Sequence, residues 1–169
     1  MAKSVLLTID DDRKIHAIQV PEPGGYHWRW RIWLPKGHDY WVFVADTVPK
    51  KGIPHPRSEG FLGAGGKESG KEISVQFEVR PNENGKRCLY ISRNSLNSKP
   101  SGHPFFEVEE TKWIKGEVMV GEDVTGAKSQ VSSSVDEPLV LLRFSEDERS
   151  TKENPPHGLF IWISTSRKF

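Results

Sequence analysis

His27-Trp28-Arg29-Trp30-Arg31-Ile32-Trp33-Leu34 is the stretch on which the reading of this chain turns. Trp28, Trp30, Ile32 and Leu34 occupy alternate positions, with His27, Arg29, Arg31 and Trp33 between them. Residues two apart share one face of an extended strand, whereas a helix would distribute the same indoles around its axis. The segment is predicted to be a strand. One face is apolar and turned inward; the other carries an imidazole, two guanidinium groups and an indole in a row, roughly 6–7 Å apart.

The same alternation extends outward. Ile73, Val75, Phe77 and Val79 oppose Ser74, Gln76, Glu78 and Arg80, and Ile114, Gly116, Val118 and Val120 form another apolar face. Runs at 5–9, 15–20, 40–45, 89–92, 105–108, 139–144 and 159–164 are shorter or apolar on both sides, as central strands are. Asp10-Asp11-Asp12-Arg13 reads as a hairpin loop between the first two runs, and Pro81-Asn82-Glu83-Asn84-Gly85 as a second tight turn. Composition agrees: five alanines stand against 24 valines and isoleucines, so strong helix formers are scarce.

The predicted architecture is all-β, an antiparallel β-sandwich or flattened barrel of about ten strands with long irregular loops. The loops are placed at 48–70, 93–104 and 145–158, and residues 1–169 are read as a single domain. The core is expected to contain Leu7, Trp28, Trp30, Ile32, Phe43, Val75, Phe77, Val118, Leu142, Phe144 and Ile161.

Several function classes lose support at this stage. One cysteine, Cys88, excludes an intrachain disulfide. No apolar run approaches the roughly 20 residues of a membrane-spanning helix. The opening Met-Ala-Lys-Ser-Val-Leu-Leu-Thr-Ile-Asp has too short an apolar stretch for a secretory leader, so a cytoplasmic location and no membrane partner are expected. Lysine and arginine (24) nearly balance aspartate and glutamate (23), which argues against a general DNA or RNA binder. That balance conceals two blocks: residues 26–104 carry 13 basic and 7 acidic groups, and residues 105–153 carry 6 and 12. Opposite blocks of this kind permit self-association or the steering of a charged partner.

Reactive constellations are weak. Gly65-Gly66-Lys67-Glu68-Ser69-Gly70-Lys71-Glu72 approximates a phosphate loop, but Glu72 stands where a magnesium-binding hydroxyl is required and a strand follows instead of a helix. Asp10, Asp11 and Asp12 diverge along the chain and do not converge on one ion. The six histidines show no ligand-type spacing, so neither a metal nor a cofactor is expected. Cys88 has Lys86 and Arg87 beside it, which favours a reactive thiolate, yet it opens a strand, where cysteine is commonly a small core residue. Ser132, Ser133 and Ser134 have no evident base.

The composition and motifs therefore point to a non-catalytic binding or interaction module recognising a protein or another anionic partner, such as an anionic polymer. Its candidate binding residues are His27, Arg29, Arg31 and Trp33, together with Trp41 and Arg57. Two alternatives remain: a hydrolase-type site built on loops from His55, Asp46, Glu59 and His103, and carbohydrate binding through Trp33, Trp41 or Trp113.

Overall fold

The computed structural model describes residues 6–21, 26–93, 105–108, 130–145 and 157–168. Among these residues there are ten strands and no helix. They are β1 (Lys14–Val20), β2 (His27–Leu34), β3 (Asp39–Thr47), β4 (Ser58–Ala64) and β5 (Lys71–Pro81). After them come β6 (Arg87–Arg93), β7 (Phe106–Glu107), β8 (Gln130–Ser134), β9 (Leu139–Ser145) and β10 (His157–Ser164). One sheet, here sheet A, has the order β7-β6-β5-β2-β1-β8; sheet B has the order β4-β3-β10-β9. Every pairing is antiparallel, and the two sheets pack face to face as a β-sandwich.

The tryptophan strand lies in the middle of sheet A, and its exposure alternates strictly along the chain. Trp28 is in register with Phe77, Trp30 with Val75 and Ile32 with Ile73, all facing sheet B. Val42 and Val44 of β3, Leu142 and Phe144 of β9, and Ile161 and Ile163 of β10 meet them. The Trp28 and Phe144 rings lie 5.9 Å apart across the two layers. Burying one such large side chain contributes about 1.5–3 kcal/mol, which favours this register over one shifted by a residue.

β3 and β10 are apolar on both faces, and sheet B accordingly has a second cluster on its outer side. Phe43, Ala45, Val48, Phe160 and Trp162 are buried there, with Phe43 and Trp162 stacked at 5.4 Å. Phe43 is thus buried as expected but on the face opposite the main core. Partly buried Ile53 packs on this cluster, and Arg143 donates to the Pro49 carbonyl beside it. All three strand pairs of sheet B contain a register irregularity, and none is found in sheet A among the described residues.

Five expectations need correction. Residues 6–9 form no strand: Thr8 is held by the Gln130 side chain, whose oxygen accepts from Thr8 N at 2.8 Å and whose NH2 donates to Thr8 O at 2.6 Å. A side-chain amide replaces the ladder there, leaving Leu6 71% exposed and Leu7 only half-buried, outside the core. The 48–70 loop contains β4, which pairs with β3 despite its glycines. The 93–104 stretch begins within β6, and the 145–158 stretch runs into β10. Ile114, Gly116, Val118, Val120, Trp113 and His103 lie outside the described residues.

Turns follow from local chemistry. Asn82 Oδ1 accepts from the amides of Asn84 (2.9 Å) and Lys86 (3.0 Å), and Gly85 takes φ 76°, which closes the β5–β6 hairpin. Gly37, at φ 81°, lets the chain pass from β2 into β3 and so from one sheet to the other. Among the described residues no helix is long and apolar enough to cross a membrane.

Candidate functional site

Strand register brings His27, Arg29, Arg31 and Trp33 together on the outer face of sheet A. Their partners on β5 are Glu78, Gln76, Ser74 and Glu72. Val20, Ile18 and His16 lie opposite Arg29, Arg31 and Trp33 on β1. All four candidate side chains are half-buried.

The two arginines meet different neighbours. Arg31 donates through Nε to Glu72 Oε1 at 2.6 Å, and its Nη2 is 2.5 Å from the same oxygen. Gln76 is oriented with its amide oxygen toward Arg29, accepting from Nε at 3.1 Å and from Nη2 at 2.8 Å. The opposite terminus of that amide lies 3.4 Å from His27 Nε2. A carboxylate offsets the Arg31 charge, and the Gln76 amide oxygen orients the Arg29 guanidinium. Farther along the face, Arg80 sits 3.6 Å over the Tyr90 ring and 3.5 Å from Glu78 Oε2.

Trp33 is fixed from two directions. Its Nε1 donates to the Asp12 carbonyl at 3.2 Å, and a Cβ at Gly70 would come within 2.2 Å of its ring. The Gly70 loop is itself docked on the β2–β3 turn. Gly65 N donates to His38 O at 2.8 Å, and Gly37 N donates to Gly66 O at 3.3 Å. Any side chain at Gly65 would collide with Pro35 O, so glycine permits this close approach. Tyr40 braces the turn from inside by donating to Pro35 O at 2.9 Å; burial pushes its hydroxyl pKa upward, keeping it a neutral donor.

Between these elements lies a groove of about 420 Å³, walled by Trp33 and Pro35 and rimmed by Arg13, Lys36, His38, Asp12 and Glu68. Arg13 is tied to Asp11 by a two-pronged ion pair at 2.9 and 3.1 Å, which holds the Asp11 carboxyl well below its ordinary range, at about 2. An aromatic plane with polar groups of both signs suits a ligand that presents an apolar or planar group beside charge.

Trp41 and Arg57 do not join this face. Trp41 lies on the outer side of sheet B, edge-on to exposed Phe61 at 5.2 Å, with the Arg167 guanidinium 4.3 Å over its ring. Arg167 also pairs with Glu59, whose carboxyl pKa is lowered by that contact. Arg57 lies 3.8 Å from Asp46. Asp46 and Glu59, two acids of the loop-built site, therefore engage separate arginines, and His55 donates to the adjacent Pro56 carbonyl at 3.0 Å. Cys88 is buried, and that burial, aided by Glu107, pushes its pKa up, in keeping with the core reading of this residue. Among the described residues no group of three or more His, Cys, Asp or Glu is placed to hold a metal ion.

Sequence reading missed one cluster. His16, fully buried, projects from β1 on the same face as Trp33 and is in direct register with Ser132 of β8. Its Nδ1 is 2.7 Å from Ser132 Oγ, and its Nε2 is 2.6 Å from Asp11 O. The two residues are 116 positions apart, so no local spacing signals the pair; only the β1–β8 pairing creates it. Comparison of the chain with known protein families, characterised proteins and solved structures finds no match.

Proposed function

We propose that this protein is a binding module that takes an extended, acidic segment of a partner protein across the outer face of sheet A. The observation that carries the reading is the row His27, Arg29, Arg31 and Trp33, which ends in a groove walled by an indole already fixed in place. A ring held by Asp12 and Gly70 loses little rotational freedom on binding, which favours affinity. β2, β5 and β6, which make up half of sheet A, all fall in the basic half of the sequence, so an acidic partner is attracted before contact. Acidic side chains of the partner would lie along Arg29 and Arg31, and an apolar or planar group would enter beside Trp33.

Fluorescence titration with synthetic decapeptides, acidic, neutral and basic but each with one central aromatic residue, tests this. Acidic peptides are expected to bind best and to weaken as salt is raised. Trp33→Leu should cost about tenfold in affinity, or about 1.4 kcal/mol, and Arg29→Gln several-fold. Equal binding by a folded Arg29→Gln/Trp33→Leu double variant, or no preference for acidic peptides, overturns the proposal.

A further inference from the structure

We infer that Ser132 is a nucleophilic hydroxyl with His16 as its general base, a site for acyl transfer from an activated ester or thioester. The inference stands apart from peptide binding and rests on different atoms. A hydroxyl attacks carbonyl carbon effectively only when a base within hydrogen-bond reach removes its proton, and the base works best when a third group fixes its tautomer. All three elements are present.

The tautomer follows from the partners of the ring. His16 Nε2 faces the Asp11 carbonyl at 2.6 Å, and a carbonyl only accepts, so Nε2 carries the proton. Nδ1 is then the lone-pair nitrogen, and Ser132 Oγ at 2.7 Å donates to it. The side-chain NH2 of Gln130, 3.3 Å away, also points a donor at Nδ1, in keeping with the same assignment. Asp10 Oδ1 lies 3.6 Å from Nε2, where it steadies the imidazolium that forms when Nδ1 takes a proton.

Accessibility is divided as the chemistry requires. The His16 ring is fully buried under the 8–11 segment, held there by the Thr8–Gln130 bonds and the Asp11 carbonyl, while Ser132 is exposed on β8, the last strand of sheet A among the described residues. A substrate, and the water that later releases the acyl group, both approach from the exposed Ser132 side. Oγ bonds to the carbonyl carbon as its proton passes to Nδ1. The tetrahedral adduct collapses, the C–O or C–S bond of the leaving group breaks, and the departing alkoxide or thiolate takes the proton from Nδ1. Water then attacks the acyl-serine by the same route, releasing the acid and restoring the hydroxyl. No oxidant, reductant or metal enters the balance.

The test is labelling of the intact protein with an alkyl fluorophosphonate, located by peptide mass spectrometry. Oγ forms the P–O bond, fluoride leaves with the P–F pair, and the serine proton goes to Nδ1. Ser134, exposed on the same strand but paired in register with Lys14, is the internal control. General-base assistance is worth about 10²–10⁴-fold, so Ser132 should label at least about 100-fold faster than Ser134. Labelling should vanish in Ser132→Ala and fall by a similar factor in His16→Gln. No labelling, or labelling spread evenly over Ser132 and Ser134, overturns the proposal, as does undiminished labelling of a folded His16→Gln. If His16→Gln does not fold, the Ser132 to Ser134 ratio in the native chain decides. Loss of peptide binding with labelling intact would remove only the binding proposal, and the converse would remove only this one.

Discussion

Arg31 and Glu72 sit diagonally on adjacent strands, two residues out of register, and the Nε–Oε1 contact of 2.6 Å joins them at the centre of the outer face of sheet A. The side chains are 32% and 37% exposed, so solvent screens the pair and its contribution to stability is below about 1 kcal/mol. Its larger effect is on the field of the face, where one carboxylate offsets one guanidinium. Glu72→Gln should leave the denaturation midpoint nearly unchanged and raise affinity for acidic peptides by about two- to fivefold, a gain of at most about 1 kcal/mol. Chemical denaturation and fluorescence titration measure the two effects. A large stability loss with no gain in affinity would mean that the pair is structural.

Gly70 and Trp33 touch so closely that no side chain fits between them. Gly70→Ala places a methyl group where the ring now lies, and the indole must rotate away or the loop must lift. The variant should remain folded, because Gly70 and Trp33 are only part-buried and outside the main cluster. It should show shifted tryptophan emission and lose peptide affinity about as much as Trp33→Leu does. Unchanged emission and binding would show that the groove does not depend on a fixed ring.

The Asp11–Arg13 pair gives the 10–13 turn a defined response to acid. The folded-state pKa of Asp11, about 2, lies below its ordinary value of 3.8, chiefly because Arg13 hydrogen-bonds its carboxylate. A lowered folded value means that the contribution is present above the unfolded value and disappears as pH falls from about 4 through about 2. NMR titration of the Asp11 carboxyl carbon should give a midpoint near 2, returning toward 3.8 in Arg13→Ala. A native midpoint at or above 3.8 would rule out the pairing in solution.

Much of this was legible in the chain. The outer row on β2 follows from strict alternation over eight residues, and β5 from the same signal. The double-sided apolar runs of β3 and β10 announced central strands, although not that Phe43 and Trp162 would form a layer of their own. β4 was hidden because Gly60 and Gly63 interrupt its pattern, and close neighbours, the Phe105 ring and the Arg93 guanidinium, explain why side chains are missing there. The first apolar run looked like a strand because sequence does not reveal that the Gln130 amide would take over its hydrogen bonding. The Arg31–Glu72 and His16–Ser132 contacts depend on which strands become neighbours, and that information lies in long-range pairing.

Sheet B has a further property that its composition imposes. In sheet A, sliding β2 or β5 by one residue would drive arginines or glutamates into the core, so polarity selects their alignment. β3 and β10 offer hydrophobic side chains whichever way they turn, and a slip between them would exchange one greasy face for another at small energetic cost. The irregularities at Tyr40/Trp41, His157/Phe160 and Ile161/Trp162 supply the missing selection, because a kinked ladder matches its partner in only one alignment. The centre of sheet A is thus aligned by chemical contrast, and sheet B by shape.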